Sequence, residues 1–162
     1  MCKIKLLISL LISLLLLSCS VKNDENKRFG MSLGYVGGGY EGLILSNILE
    51  GHLRSKSIYD KGSIYIIKPK IKHSKSLFIT NIDNTSDREN VITSINLVIF
   101  NNDIGCNIFS FTDEISQFYI YSSGEKFISN TKALEKIKYN NTEELVKKFM
   151  NKIRFIDKNC EE

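Results

Sequence analysis

Leu6 to Leu17 is an almost unbroken apolar run, relieved only by Ser9 and Ser13, and the chain turns polar immediately after Cys19. Past Arg28 the pattern changes to short periodic segments. Phe29 to Val36 reads as a short strand interrupted by Gly30 and Gly34, and Gly37-Gly38-Gly39 ends it. From Glu41 to Arg54, Leu43, Ile44, Ile48, Leu49 and Leu53 recur at helical spacing and predict a helix. After a turn at Asp60-Lys61-Gly62, Ser63 to Lys72 and Leu77 to Ile82 read as strands. Asn90 to Phe100 alternates most cleanly: Val91, Thr93, Ile95, Leu97 and Ile99 fall on one face, Ser94 and Asn96 on the other. Asn101 to Gly105 is a turn, Cys106 to Thr112 its hairpin partner, and Gln117 to Ser122 continues the sheet. Asn130 to Tyr139 has only a weak pattern, a short helix at most. Asn141 is expected to cap a last helix, with Glu144 at capping-box spacing and Leu145, Val146, Phe149, Met150 and Ile153 on one apolar face. Lys147, Lys148, Lys152 and Arg154 lie off that face, late in the helix, where cations suit its negative end. The expected fold is α+β: an antiparallel sheet of about four to five strands packed by the early helix and the C-terminal amphipathic helix.

The first segment is a sorting signal rather than part of that fold. Lys3 and Lys5 precede the apolar run, which falls short of the roughly 20 residues of a spanning helix. Leu16-Leu17-Ser18-Cys19 resembles the bacterial lipobox: a branched apolar residue, then a small residue, then a cysteine whose thiol accepts diacylglycerol. Leu17 is a mild departure at the middle position. The resemblance implies a cleaved lipoprotein signal peptide over residues 1–18, lipidation at Cys19, and a flexible tether over 19–28 ahead of a single domain over 29–162. An ordinary signal with an incidental cysteine, or an uncleaved anchor helix, are the other readings. One acyl chain binds a membrane only marginally, whereas the several chains (palmitate among them) of a lipoprotein cysteine hold it. Ser20, rather than Asp, follows Cys19, and by analogy with other bacterial lipoproteins this favours the outer membrane.

Composition narrows the function. The chain is 43% hydrophobic and 25% charged, which is globular composition. Its net charge of +4 includes Lys3 and Lys5, so the expected mature chain is near balance and offers no case for nucleic acid. Of four cysteines, Cys2 leaves with the signal and Cys19 carries lipid. Cys106 and Cys160 remain in an oxidising compartment that permits a disulfide, though two cysteines do not make a framework.

The motifs that carry chemistry are weak. Gly37-x-Gly39-x-x-Gly42 formally matches a dinucleotide fingerprint, but consecutive strands are expected to follow it, not a βαβ crossover, and a glycine turn into a helix explains it better. Asn81, Asp83, Thr85 and Asp87 lack the glycine and terminal glutamate of a calcium loop. His52 and His73 fall in different elements, away from other metal ligands, and read as surface or interface residues. No nucleophile elbow or catalytic carboxylate pair is present, so neither an enzyme, a cofactor nor a metal is expected. Lys68, Lys70 and Lys72 alternate on a predicted strand with Ile67 and Ile71 opposite. Such a row suits an anionic lipid or phosphosugar; equally, Lys and Pro69 are how an edge strand avoids strangers.

The order of elements resembles the lipopolysaccharide-assembly lipoprotein family (LptE). The likeness runs from about Gly37 to Ile153, through Leu45-Ser46-Asn47-Ile48-Leu49-Glu50-Gly51-His52-Leu53, Ile64-Tyr65-Ile66-Ile67, Ser94-Ile95-Asn96-Leu97-Val98-Ile99-Phe100 and Ser116-Gln117-Phe118-Tyr119. The alanine-rich final helix usual in the family is absent, since Ala133 is the one alanine. The resemblance implies a lipid-anchored outer-membrane protein facing the periplasm that assists the β-barrel delivering lipopolysaccharide, with Lys68, Lys70 and Lys72 as the candidate glycolipid contacts. A surface-exposed lipoprotein binding host molecules, or an accessory subunit of another envelope transporter, are the alternative readings.

Overall fold

A computed structural model describes residues 30–79, 87–121, 127–156 and 160. The signal segment, Cys19, the tether, Phe29, and Asn81, Asp83 and Thr85 of the acidic loop lie outside the described residues. Strand β1 (Ser32–Leu33) is followed by helix α1 (Gly39–Ser55). Strands β2 (Tyr65–Ile79), β3 (Asp87–Asn101) and β4 (Cys106–Tyr121) come next, then helix α2 (Phe127–Lys152) and a 3-10 turn at Ile153–Phe155. The sheet runs β1-β2-β3-β4. The fold class is the expected α+β, but the sheet is not wholly antiparallel. β1 pairs parallel with β2 (Ser32 opposite Ile66), so β1, α1 and β2 form a short parallel crossover, where an antiparallel sheet without a βαβ crossover was expected.

Alternation decides which face is buried. On β3, Val91, Thr93, Ile95, Leu97 and Ile99 are sealed under the helices, whereas Ile92, Ser94, Asn96, Val98 and Phe100 are half-buried on the other face. α2 places Leu145, Val146 and Phe149 in the core, where the Phe149 ring lies between Phe109 and Phe111 at centroid distances of 6.2 and 5.8 Å. α1 contributes Leu45, Ile48, Leu49 and Leu53. Its buried stripe is rotated from the expected one: Leu43 is 57% exposed, because Gly42 and not Leu43 approaches the chain behind it. A Cβ on Gly42 would stand 2.4 Å from the Gly37 carbonyl oxygen.

Three boundaries differ from the sequence expectation. The two short strands expected between Ser63 and Ile82 are one, because β2 pairs with β3 without a break through Ser74–Ile92 and Ser76–Asn90. Cys106 to Thr112 and Gln117 onward join likewise into β4, with an irregularity at Ile99/Phe100 where β4 carries an extra residue. Finally, Asn141 is not a cap. It lies inside one continuous α2 that also takes in Asn130 to Tyr139, and it is fully buried.

The turn at Asn101 to Gly105 forms as expected. The Asn101 side chain accepts from the Asp103 N–H at 3.0 Å, and Gly105 takes a φ of 71° that favours glycine. Beside this turn Cys106 is joined to Cys160 by a disulfide, with Cα atoms 5.9 Å apart.

Candidate functional site

The face of the sheet opposite the helices is uncovered by any element among the described residues. Lys68, Lys70 and Lys72 stand on it, all exposed, while Ile67, Pro69 and Ile71 point to the helix side. Alternate residues of one strand are about 6.7 Å apart, so the three lysines leave the backbone at even intervals along one face. Across the sheet from that row come Val98, Asn96 and Ser94 on β3, then Ser110, Thr112 and Glu114 on β4. Asn96 donates to the Thr112 hydroxyl at 2.7 Å. The Lys68 ammonium lies 3.2 Å from the centroid of the Phe100 ring, a cation–π contact that holds it over the sheet. The result is an open face with cations along one margin and Asn96, Ser94, Ser110 and Thr112 across it, together with Val98 and the Glu114 carboxylate. Ammonium groups there can pair with anionic groups, and the amide and hydroxyls can hydrogen-bond to polar ones.

The second role considered for these residues is also visible. Gly34 donates its N–H to the Ile67 carbonyl at 2.8 Å, so Ile67 faces the β1 side. Pro69, two residues on, faces the same side after β1 has ended, and its missing N–H costs no ladder bond. Beyond Lys68, β2 is therefore an edge guarded by proline and lysine.

A second polar cluster, which sequence reasoning missed, lies between the sheet and both helices. His73 on β2 is 2.8 Å from Thr93 on β3 (Nδ1 to Oγ1), and Thr93 is 3.3 Å from the side-chain nitrogen of Asn141 on α2. An amide nitrogen only donates, so the Thr93 oxygen accepts from Asn141, and its contact with His73 Nδ1 runs in the direction set by the histidine tautomer. Burial holds the His73 pKa below its ordinary value; Glu41 opposes that shift and Lys138 adds to it. Glu41 of α1 and Lys138 of α2 are themselves ion-paired, clamping the two helices beside the histidine. Asn141 Oδ1 is buried and has no hydrogen-bond partner among the described residues. Farther along the sheet, Glu89 is buried with Tyr119 donating to it and Lys75 at 3.0 Å. Burial alone would raise the Glu89 pKa; those two partners outweigh it and bring the value down. The period-two pattern assigned Thr93 to the core but held no sign that His73 or Asn141 would meet it.

Neither cluster is a metal site: no group of three or more His, Cys, Asp or Glu side chains among the described residues is placed to hold an ion. His52, whose backbone carbonyl accepts from Ser55, lies away from His73 on α1. Most of the glycine motif is accounted for by backbone geometry. Gly38 and Gly39 take φ of 107° and 59°, and Gly42 permits the close approach to the Gly37 carbonyl, so these three glycines have backbone reasons of their own, whereas a side chain at Gly37 would meet only ordinary contact.

Comparison with known proteins bears on the fold. No protein-family model matches the sequence, and no curated protein matches it. Among solved structures, a minor lipoprotein from Acinetobacter baumannii is similar with a TM-score of 0.59 at 11% identity, over 82% of this chain and 96% of that one. A protein of Caulobacter crescentus CB15 assigned as a lipoprotein gives 0.55 at 12% identity, over 76% and 86%. Rare lipoprotein B from Shewanella oneidensis gives 0.51 at 9% identity, over 78% and 96%. The chain thus has a fold found in bacterial lipoproteins.

Proposed function

We propose that this chain is a non-enzymatic, lipid-anchored lipoprotein of the outer membrane, facing the periplasm. Its role is to assist the assembly or function of the β-barrel that carries lipopolysaccharide to the surface. The observation that carries this reading is the uncovered sheet face. On a domain whose fold is found in bacterial lipoproteins, Lys68, Lys70 and Lys72 line the margin of a face that also carries Asn96, Ser94, Ser110 and Thr112. Such a surface meets the phosphates of an anionic glycolipid with its cations and the sugars with its polar side chains. The lipobox-like sequence at Cys19 supports the anchor, and no bond is made or broken in this role.

Three measurements test it. Mild crosslinking in cells followed by pull-down should recover a large outer-membrane barrel; an inner-membrane ATPase complex would instead favour an accessory subunit of another transporter. Cleavage of the domain by protease added to intact cells would sink the periplasmic reading. Reversing the three lysines to glutamate should abolish binding of purified lipopolysaccharide, and unchanged binding would dispose of the lysine row.

A further inference from the structure

We propose that the end of the domain bearing Ile64, Ile104 and Phe155 docks on the lipid leaflet that holds the N-terminal acyl chains. This rests on the lipid-anchor reading above and adds an orientation to it. The chain enters the fold at that end: the Gly30 carbonyl accepts from the Ser63 hydroxyl at 2.5 Å, and Met31 bridges to Tyr59. Ile64 follows at once, and its carbonyl accepts from the Asn102 N–H at 2.8 Å, which sets it against the β3–β4 turn. Ile104 projects from that turn and is 58% exposed. Phe155, just past the end of α2, is 88% exposed, and the disulfide from Cys160 to Cys106 returns the chain after it to the same turn.

The length of the tether rules out the opposite end, and the exposed Ile64, Ile104 and Phe155 favour this end over a flank. Cys19 precedes Gly30 by 11 residues. Fully extended, they reach at most about 40 Å. The 16 residues of β4 make the sheet about 50 Å long. If the far end, with the exposed Phe118 and Ile120, pointed at the leaflet, the entry at Gly30 would stand beyond the tether's reach. With the entry end down, no extension is required, and the loss of chain freedom is smallest. Lys61 and Arg154 are exposed at this end, but so are Asp60 and Asp103. The apolar side chains therefore carry the contact, and anionic lipid is not its main cause.

The chain contains no tryptophan, so an introduced one is a sole reporter. The full lipidated protein is reconstituted in phosphatidylethanolamine–phosphatidylglycerol vesicles as four separate variants: Ile104→Trp, Phe155→Trp, Ile120→Trp and Tyr40→Trp. In the first two, brominated lipid should quench emission about twofold and aqueous iodide little, as for an interfacial aromatic. Ile120→Trp at the far end and Tyr40→Trp on the flank should respond the opposite way. Iodide quenching of the Ile104 and Phe155 variants, or lipid quenching at position 40 or 120 in their place, overturns the docking. Flotation with the vesicles is read in parallel. Protein that floats with its position-104 and position-155 tryptophans in water retains the anchor and loses the docking, whereas protein that does not float loses both.

Discussion

The Asn141 amide nitrogen lies 3.3 Å from the Thr93 hydroxyl, joining the interior of α2 to the centre of β3 through two side chains with no solvent exposure. Thr93 also bonds His73, so its hydroxyl serves two partners while Asn141 keeps one unmatched acceptor. Thr93→Val removes the shared group and strands both neighbours, whereas Asn141→Ala removes one weak bond together with the unmatched oxygen. Burying a polar group without a partner costs about 1–3 kcal/mol. Urea unfolding should therefore show Thr93→Val losing more stability than Asn141→Ala. Equal losses would mean that the chain of bonds contributes little.

Stability should fall as pH drops below 6.5, the ordinary value from which the His73 pKa is lowered. The unfolded chain binds a proton there before the folded chain does, so the stabilisation is complete above 6.5 and is lost as pH falls through the lower folded value. Glu89 and Asp113 are lowered from 4.5 and 3.8, so their losses belong to a more acidic window. Denaturation midpoints measured from pH 7.5 to 5 should slope downward in the native protein and flatten in His73→Asn. A slope that survives this substitution assigns the effect to another group.

The disulfide closes a loop with a sequence separation of 54. The chain-entropy model gives about 4 kcal/mol for a loop of that size. Cys160 is exposed, so reductant has access. Thermal unfolding should shift down by several degrees in dithiothreitol and in Cys160→Ser alike, and reductant should have no further effect on the serine variant.

Two glycines of α1 predict opposite outcomes. Gly42→Ala places a methyl against the Gly37 carbonyl and should cost about 1–3 kcal/mol through overpacking. Gly51 meets nothing within 4 Å on an exposed helical position, so Gly51→Ala should stabilise by up to about 1 kcal/mol. Melting temperatures of the two variants on either side of the native value check this pair; a common direction would contradict the packing at Gly42.

The sequence by itself determined what depends on local period and local turn chemistry. Alternation from Val91 to Ile99 assigned the buried face of β3, the same period aligned Lys68, Lys70 and Lys72 on one side, and helical spacing found Leu145, Val146, Phe149, Met150 and Ile153. Only the tertiary structure decided the rest. Ser74 and Ser76 stay in β2 because β3 supplies hydrogen-bond partners across the sheet, a contact between segments that no local pattern encodes. Asn141 has the side chain of a cap, yet it lies inside α2, where Thr93 gives it a buried partner. Thr142 bonds the Lys138 carbonyl at 2.7 Å, so it too is accommodated within the helix. His73 gained its neighbours in the same way, from the packing of two helices on one sheet face. Residues far apart in the chain share a site only after long-range packing has joined them, and that is why the lysine row was legible and the His73–Thr93–Asn141 cluster was not.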